Sequence, residues 1–239
     1  MNKTGSNHLS LAYLLHRRDY SNSSLLVECL TESQGRFPAI VKGVKGRGKT
    51  ASSLLQPFVP LQISWSGRGE VKNLVLFEQA GHNKLLTGKS LYCGFYLNEL
   101  LMRLLQRNDP HEQLFHLYAS QLRLLSEQGI DEAALRYFEL DLLDELGYGI
   151  DLNMDADDQY PIDDQRCYQF IPERGLLPTT ADNEYAISGK TLLSLSERNL
   201  SLPVQLREAR LLLRTILGFY LGEKPLKSRE LFRYAYQKQ

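Results

Sequence analysis

The sequence of 239 residues is poor in the features that mark disulfide-rich, membrane-spanning and disordered chains. Its three cysteines (Cys29, Cys93 and Cys167) are odd in number and far apart, which excludes a disulfide framework and a CxxC metal knuckle. No apolar run approaches the roughly 20 residues that a bilayer requires, and Met1–Leu15 lacks a basic-then-apolar signal pattern. Proline and glycine are too few for a low-complexity chain, at 9 and 17 residues. We therefore predict a soluble, cytoplasmic globular protein with reduced thiols.

The formal net charge is zero, but the charges are distributed unevenly along the chain. Residues 1–80 have 10 basic and 5 acidic side chains, residues 81–160 have 6 and 14, and residues 161–239 have 12 and 9. This asymmetry indicates that different parts of the chain have different partners.

The first third of the sequence is predicted to form short strands. Apolar alternation, interrupted by glycine-rich or polar breaks, marks them at Leu9–His16, Ser24–Thr31, Arg36–Val44, Val59–Trp65 and Val71–Glu78. Five strands in about 80 residues is the count of an OB-type barrel. We therefore predict a β-then-α chain that begins with an OB-fold domain over residues 1–80.

From about Ser90 the apolar period changes to 3.6, which predicts a helical domain over residues 81–239. Helices are expected from Ser90 to the stop at Asn108-Asp109-Pro110, at His111–Glu127, from an Asp131 N-cap to Gly147, at Gly189–Glu197 and at Pro203–Leu221. The acidic residues 151–188 are predicted to be irregular, with a short hairpin around Cys167–Ile171.

Gly43–Thr50 matches the Walker A pattern literally. Such a loop binds phosphates when a strand precedes it and a long helix follows it. Pro57 and Pro60 leave only about six residues for that helix, and no βαβ repeat follows. The favoured interpretation is a basic hairpin loop, and a P-loop-like nucleotide-binding enzyme is the alternative.

The same loop is a candidate nucleic-acid contact. It places four cations on eight residues with no acid among them, at Lys42, Lys45, Arg47 and Lys49. Lysine and arginine side chains on flexible glycines can follow a phosphate backbone and release counterions. Further candidates are Arg36, Arg68 and Lys72 on the predicted barrel and Arg207, Arg210 and Arg214 on one side of the last helix. A solvated surface is the alternative for all of them, and Phe37, Phe58 and Trp65 are available either for base stacking or for the core.

His111 and His116 flank a segment that resembles a zinc-protease helix with one residue too many. In HExxH the histidines are four apart and share a face, whereas a spacing of five turns them about 140° apart. The two histidines are therefore not expected to chelate one zinc ion. No nucleophile elbow is apparent, and the acids at 155–164 are expected in a polar loop where nothing obvious raises a pKa, so these acids are interpreted as solvated.

Seven short segments, in order along nearly the full length, resemble the RecO family of bacterial recombination mediators and DNA repair proteins. They are Val41–Gly43, Leu55–Phe58, Gly67–Val71, Tyr96–Leu100, Leu135–Glu139, Leu146–Gly149 and Lys224–Arg229. The resemblance implies an N-terminal OB barrel, a helical domain and no covalent chemistry. It also implies binding of single- and double-stranded DNA, annealing of complementary strands, association with RecR, and docking of the acidic C-terminal tail of single-stranded DNA-binding protein so that RecA can load.

The resemblance also assigns roles to particular residues. The resemblance implies that the basic loop at 42–49 contacts DNA. Arg136, with Leu135 and Phe138 on the same predicted helix, matches the position for docking the acidic tail, since arginine can bind a carboxylate bidentately. A surface ion pair of Arg136 with Glu132 or Glu139 is the alternative.

One departure from the family concerns zinc. Many RecO proteins carry four zinc-binding cysteines after the third helix, whereas only Cys167 lies in that part of this sequence. We therefore expect no zinc there and a fold held by packing alone. A protein-only adaptor, with the barrel as a spacer, is a third interpretation of the whole chain.

Overall fold

The computed structural model describes residues 9–44, 53–81, 84–157 and 159–231. Its strands are β1 (Ser10–Asp19), β2 (Leu25–Thr31), β3 (Gly35–Val41), β4 (Leu61–Ser66), β5 (Lys72–Gln79), β6 (Cys167–Ile171), β7 (Gly175–Thr179) and β8 (Ile187–Ser188). Its principal helices are α1 (Gly88–Leu104), α2 (Glu112–Glu127), α3 (Glu132–Glu145), α4 (Gly189–Ser196) and α5 (Pro203–Leu221). Every predicted strand and helix is present, with bounds that differ by a few residues.

The first five strands close into a barrel in the order β1-β2-β3-β5-β4, which confirms the OB-type prediction. All neighbours are antiparallel except β3 and β5, which pair in parallel at two positions only. Alternate apolar side chains of the strands point inward and form a closed core, with Leu14, Val27, Phe37 and Ile63 at most 1% exposed. Burial of such side chains stabilises the barrel by about 1.5–3 kcal/mol each.

Asn98 of α1 ties the barrel to the two helices that follow it. Its Nδ2 donates to the Leu15 carbonyl at 2.7 Å, and the Tyr118 hydroxyl of α2 donates to its Oδ1 at 2.5 Å. Asn98 is 3% exposed and Tyr118 is fully buried. Buried polar groups need such partners, so this network fixes β1, α1 and α2 together.

The chain divides into two compact units. The first spans residues 1–130 and resumes at 226, so that it contains the barrel, α1, α2 and the returning C-terminal segment. The second spans residues 131–225. The predicted domain boundary near residue 80 lies at the end of the barrel, whereas the boundary between the two compact units lies at residue 130. The division into domains at residue 80 stays a prediction.

The second unit contains a small antiparallel sheet where the sequence predicted irregular chain. The strand order is β7-β6-β8, with β6 in the centre. The hairpin around Cys167–Ile171 was predicted. The third strand of the sheet, β8, was not predicted, because it is only two residues long. Tyr168 and Phe170 alternate into the core of this unit. Gly175, the first residue of β7, has φ +99°, a conformation that favours glycine.

Both predicted ends of α3 are confirmed. The Asp131 side chain accepts hydrogen bonds from the backbone N–H groups of Ala133 at 2.9 Å and Ala134 at 3.2 Å, which satisfies two donors of the first turn. Gly147 follows the helix with φ +75°, a conformation that favours glycine. The local sequence therefore sets the length of this helix.

Glu99 of α1 holds the returning C-terminal segment in the first unit. Its carboxylate accepts from the backbone N–H of Lys227 at 2.9 Å and of Ser228 at 2.8 Å. Burial alone would raise the pKa of Glu99, but these hydrogen bonds and nearby Arg103 outweigh it, so the pKa lies below its ordinary value of 4.5. The folded state therefore prefers the ionised carboxylate.

We expect Glu99→Gln to lower the free energy of unfolding at pH 7 by about 1–2 kcal/mol, because the amide loses the charge that strengthens both hydrogen bonds. Since the folded pKa is depressed, this contribution is present above the ordinary carboxyl pKa and is lost as the pH falls through the lower folded value. Urea unfolding at pH 7 and at about pH 3 measures it. A gap between variant and wild type that does not narrow in acid would contradict the assignment.

Among the described helices, none combines the length and the apolar character that crossing a membrane requires.

Candidate nucleic-acid interface

The strand register defines one end of the barrel. Leu25 at the start of β2 is opposite Asp19 at the end of β1 and Val41 at the end of β3. Near the start of β5, Asn73 pairs with β3 on one side and with Ser66 at the end of β4 on the other. The final residues of β1, β3 and β4 therefore meet the first residues of β2 and β5 at one end of the barrel.

This end of the barrel gathers basic side chains, and we call it the cationic end. Its members among the described residues are Arg17, Arg18, Lys42, Arg68 and Lys72. Lys72 is partly buried and the other four are exposed. The same strand ends and the β4–β5 hairpin carry the acids Asp19 and Glu70. Cations thus outnumber acids on a surface that three separate segments of the sequence contribute.

The predicted contacts Lys42, Arg68 and Lys72 therefore come together. Arg17 and Arg18 were missed, because they lie just beyond the predicted strand Leu9–His16, whereas β1 continues to Asp19. Arg17 Nη1 donates to the Leu55 carbonyl at 2.9 Å, which anchors its guanidinium at this end. The predicted contacts Lys45, Arg47 and Lys49 lie outside the described residues.

Arg36 was predicted as a phosphate contact, but it belongs to a partly buried charge network centred on Glu28. Its Nη1 lies 2.5 Å from Glu28 Oε1, its Nη2 donates to the Leu105 carbonyl at 2.8 Å, and Arg107 Nε lies 3.3 Å from the same carboxylate oxygen. The Arg36 and Glu28 side chains are only 11% and 8% exposed. Burial lowers the pKa of Arg36, and the Glu28 carboxylate opposes this shift. The guanidinium faces protein rather than solvent, so we leave Arg36 out of the interface.

The aromatic candidates for base stacking differ in exposure. Phe37 is fully buried in the barrel core and Phe58 is 8% exposed. Trp65 is partly buried near the end of β4, with its ring centroid 4.9 Å from that of Phe37. Of the three, only Trp65 has appreciable exposed surface.

The arginines of α5 form an exposed strip in the second unit, as their helical spacing predicted. Arg207, Arg210 and Arg214 are all exposed, whereas Leu213 and Leu217 on the other side of the helix are buried. Arg210 Nη1 lies 3.3 Å from Glu132 Oε1, an exposed pair that weakly neutralises the middle of the strip. The remaining cationic surface can meet an anionic partner.

The predicted tail-docking residues lie inside the second unit. Leu135 and Phe138 are 9% and 3% exposed. Arg136 is also buried, and its Nη2 donates to Glu139 Oε1 at 2.8 Å. The ion pair with Glu139 that the sequence left as an alternative is therefore present, but it is buried rather than on the surface. An incoming carboxylate would have to displace Glu139 to reach this arginine.

The barrel topology does not provide the setting of a P-loop. The strand before Gly43–Thr50 is β3, which lies in a closed, mainly antiparallel barrel and not in a parallel sheet flanked by helices. Lys42–Val44 form a turn after β3, and Lys45–Thr50 lie outside the described residues. The described part of the Walker A match therefore follows a barrel strand, a setting that differs from the strand of a parallel sheet that precedes a P-loop.

A closed five-stranded barrel with a cationic end, followed by helices, is the architecture of an OB-fold protein with a helical C-terminal region. Two family models cover nearly the whole chain: "Recombination protein O N terminal" matches residues 6–80, and "Recombination protein O C terminal" matches residues 85–230.

Curated relatives agree with both models. The chain is 46% identical over 224 residues to the DNA repair protein RecO of Coxiella burnetii (strain RSA 493 / Nine Mile phase I), which covers 93% of this chain and 96% of that protein. It is 45% identical over 225 residues to the protein of that name from Methylococcus capsulatus, with 94% and 93% covered. It is 44% identical over 220 residues to that of Pseudomonas paraeruginosa, with 92% of each covered. The chain belongs to the RecO family, and its role lies in DNA repair and recombination.

Proposed function

We propose that this protein binds single- and double-stranded DNA through the cationic end of its barrel and anneals complementary strands. The observation that carries the proposal is the convergence of Arg17, Arg18, Lys42, Arg68 and Lys72 on one barrel end, from which the basic loop also departs. A phosphate backbone that contacts several such side chains releases counterions, which gives affinity without base recognition. Screening of the repulsion between two strands then promotes their pairing.

Annealing of this kind makes and breaks no covalent bond, so we propose a mediator that is not an enzyme and that needs no cofactor to anneal DNA. The α5 strip of Arg207, Arg210 and Arg214 is proposed as a second contact with the phosphate backbone, because its three guanidinium groups are exposed on one helix face. A role in DNA repair fits a cytoplasmic protein associated with the nucleoid, which is the localisation that we propose.

We further propose that the protein acts with RecR and with single-stranded DNA-binding protein to help RecA load. In this proposal the acidic tail of the single-strand binder docks on α3 at Leu135, Arg136 and Phe138. The chemistry supports the choice, since an arginine beside apolar side chains suits a peptide that ends in a hydrophobic residue and a carboxylate. Because Arg136 is paired with Glu139, docking requires an exchange of one carboxylate for another.

Strand annealing by the full-length protein, without ATP, tests this function. We expect Lys45→Ala combined with Lys49→Ala to weaken DNA binding by roughly tenfold at physiological salt and to slow annealing of every sequence alike, because two phosphate contacts are lost. The matched control, Lys84→Ala with Lys89→Ala, removes two exposed cations, one just before α1 and one in its first turn. Annealing that depends on ATP, or DNA binding that is insensitive to salt, would contradict the proposal.

The same assay includes a peptide that copies the acidic tail. Removal of Arg136 alone would leave Glu139 buried, so the docking variant replaces both partners, Arg136→Met with Glu139→Leu. We expect this variant to anneal DNA normally and to lose the effect of the peptide. A peptide effect equal to that in the wild type would place the docking site elsewhere.

A further inference from the structure

A histidine and two glutamates converge on one surface of the first unit. Glu112 and His116 lie one helical turn apart on α2, and Glu32 lies in the turn between β2 and β3. His116 Nε2 is 2.9 Å from Glu32 Oε1, and one potential ligand atom from each of the three side chains lies within 4.8 Å of the other two. Ligands about 2.0–2.2 Å from one metal ion are separated by roughly 3–4 Å, so a single ion fits among these atoms after small side-chain movements.

The segments that carry these side chains are held together by their backbones. Asn108, which lies shortly before α2, donates its backbone N–H to the carbonyl of Arg36 at 2.8 Å. Arg36 lies just after the β2–β3 turn. Gly35 approaches the segment before α2 so closely that a Cβ at this position would lie 2.0 Å from the Asp109 carbonyl oxygen. The turn and the start of α2 are therefore in fixed contact. Preorganisation of this kind favours binding, since the backbone need not move to assemble the ligands.

The kinds of donor indicate the kind of ion. Two carboxylates balance the charge of a divalent cation, and an imidazole suits zinc and other first-row transition metals better than magnesium or calcium. The side chains of Glu32 and His116 are 44% and 60% exposed, so an ion reaches them directly from solvent. We propose that Glu32, Glu112 and His116 bind one divalent transition-metal ion, with Zn²⁺ as the expected occupant, and so link the β2–β3 turn to α2.

The site differs from the zinc motif that the sequence excluded. His111 and His116 are five residues apart, and His111 Nε2 lies 3.5 Å from Asp109 Oδ2 instead. The spacing of four belongs to Glu112 and His116, which therefore share a helix face. Glu32 completes the set from a distant part of the sequence. The proposed site does not include His111, so its replacement is a control for the replacement of His116.

Calorimetric titration of chelator-treated full-length protein with zinc chloride tests this site. A Cys167→Ser background removes the partly exposed thiol as a competing ligand. We expect one equivalent of zinc to bind to this protein and to its His111→Gln variant. His116→Gln and Glu112→Gln should each weaken binding at least about tenfold, because even groups that only orient metal ligands change affinity by that factor.

Thermal melting provides the second measurement. Zinc should raise the melting temperature of the background protein and of His111→Gln, but not that of His116→Gln, since an ion that binds only the folded state stabilises it. Without zinc the background protein and its His116→Gln variant should melt alike, because the His116 side chain is largely exposed. No zinc binding by the background protein, or equal affinity in His116→Gln, would overturn the proposal.

Discussion

Glu28→Gln is expected to lower the free energy of unfolding by up to about 3–5 kcal/mol, because it leaves the largely buried Arg36 guanidinium without its counter-charge. The glutamine has the same shape as the glutamate, so the change removes charge and leaves packing intact. Arg36 would keep its hydrogen bond to the Leu105 carbonyl but lose the ion pair with Glu28 at 2.5 Å. Urea unfolding at neutral pH, followed by circular dichroism, measures the difference.

Glu78→Gln is the matched control, since Glu78 is an exposed carboxylate on β5 of the same barrel. We expect this change to stay within about 0.5 kcal/mol of the wild type, as is usual for surface substitutions. Similar losses for Glu28→Gln and Glu78→Gln would mean that the network around Arg36 contributes no more than a surface charge does.

A triple variant of the cationic end, Lys42→Ala with Arg68→Ala and Lys72→Ala, should bind single-stranded DNA far less tightly than the wild type. Each lost phosphate contact lowers the slope of log affinity against log salt by about 0.7 on single strands, so the slope should fall by about two. At physiological salt this corresponds to a loss of affinity on the order of 10–100-fold. Fluorescence anisotropy with labelled oligonucleotides over a salt series measures both quantities.

The control for this variant removes the same number of charges from elsewhere in the first unit. Lys84, Lys89 and Arg123 are exposed and lie outside the strand ends that form the cationic end. Their combined replacement by alanine should change the salt slope much less. Equal losses in the two triple variants would show that net charge alone governs binding, and would remove the cationic end as the site.

The strands were predictable because each one carries its own signal. Apolar residues alternate along them, and turn-forming residues separate them, so β2 over Leu25–Thr31 was recognised from local sequence alone. The ends of α3 were predictable for the same reason, since Asp131 and Gly147 mark them within a few residues of the helix. The short strand β8 was missed because a two-residue strand has no period.

The candidate site was predicted less completely, because its members meet through barrel closure. Nothing in the local sequence brings Arg18 to the same end of the barrel as Lys42 and Lys72, whereas the register of β1, β2, β3 and β5 does. Arg36 is the reverse case, a residue that the sequence assigned to the site and that the structure places outside it. Its basic side chain looked available for DNA, but cross-strand geometry places it against Glu28, and only the folded barrel reveals that pair.

Arg136 illustrates how burial changes the meaning of a correct pairing. A spacing of three residues on a helix allows the ion pair with Glu139, and the sequence offered that pair as an alternative. The sequence could not predict how deeply this ion pair is buried, since its burial depends on which helices and strands cover α3. A partner's carboxylate therefore competes with an internal one rather than with water.

The return of the chain to the first unit after residue 225 gives the second unit two covalent attachments instead of one. One peptide connection enters it after Ile130 and another leaves it at Pro225. After a single cut at either connection, residues 131–225 would stay covalently joined to residues of the first unit through the other connection. Loss of the C-terminal end, by contrast, would strip the Glu99 carboxylate of both N–H donors and so damage a part of the fold that begins more than a hundred residues earlier in the sequence.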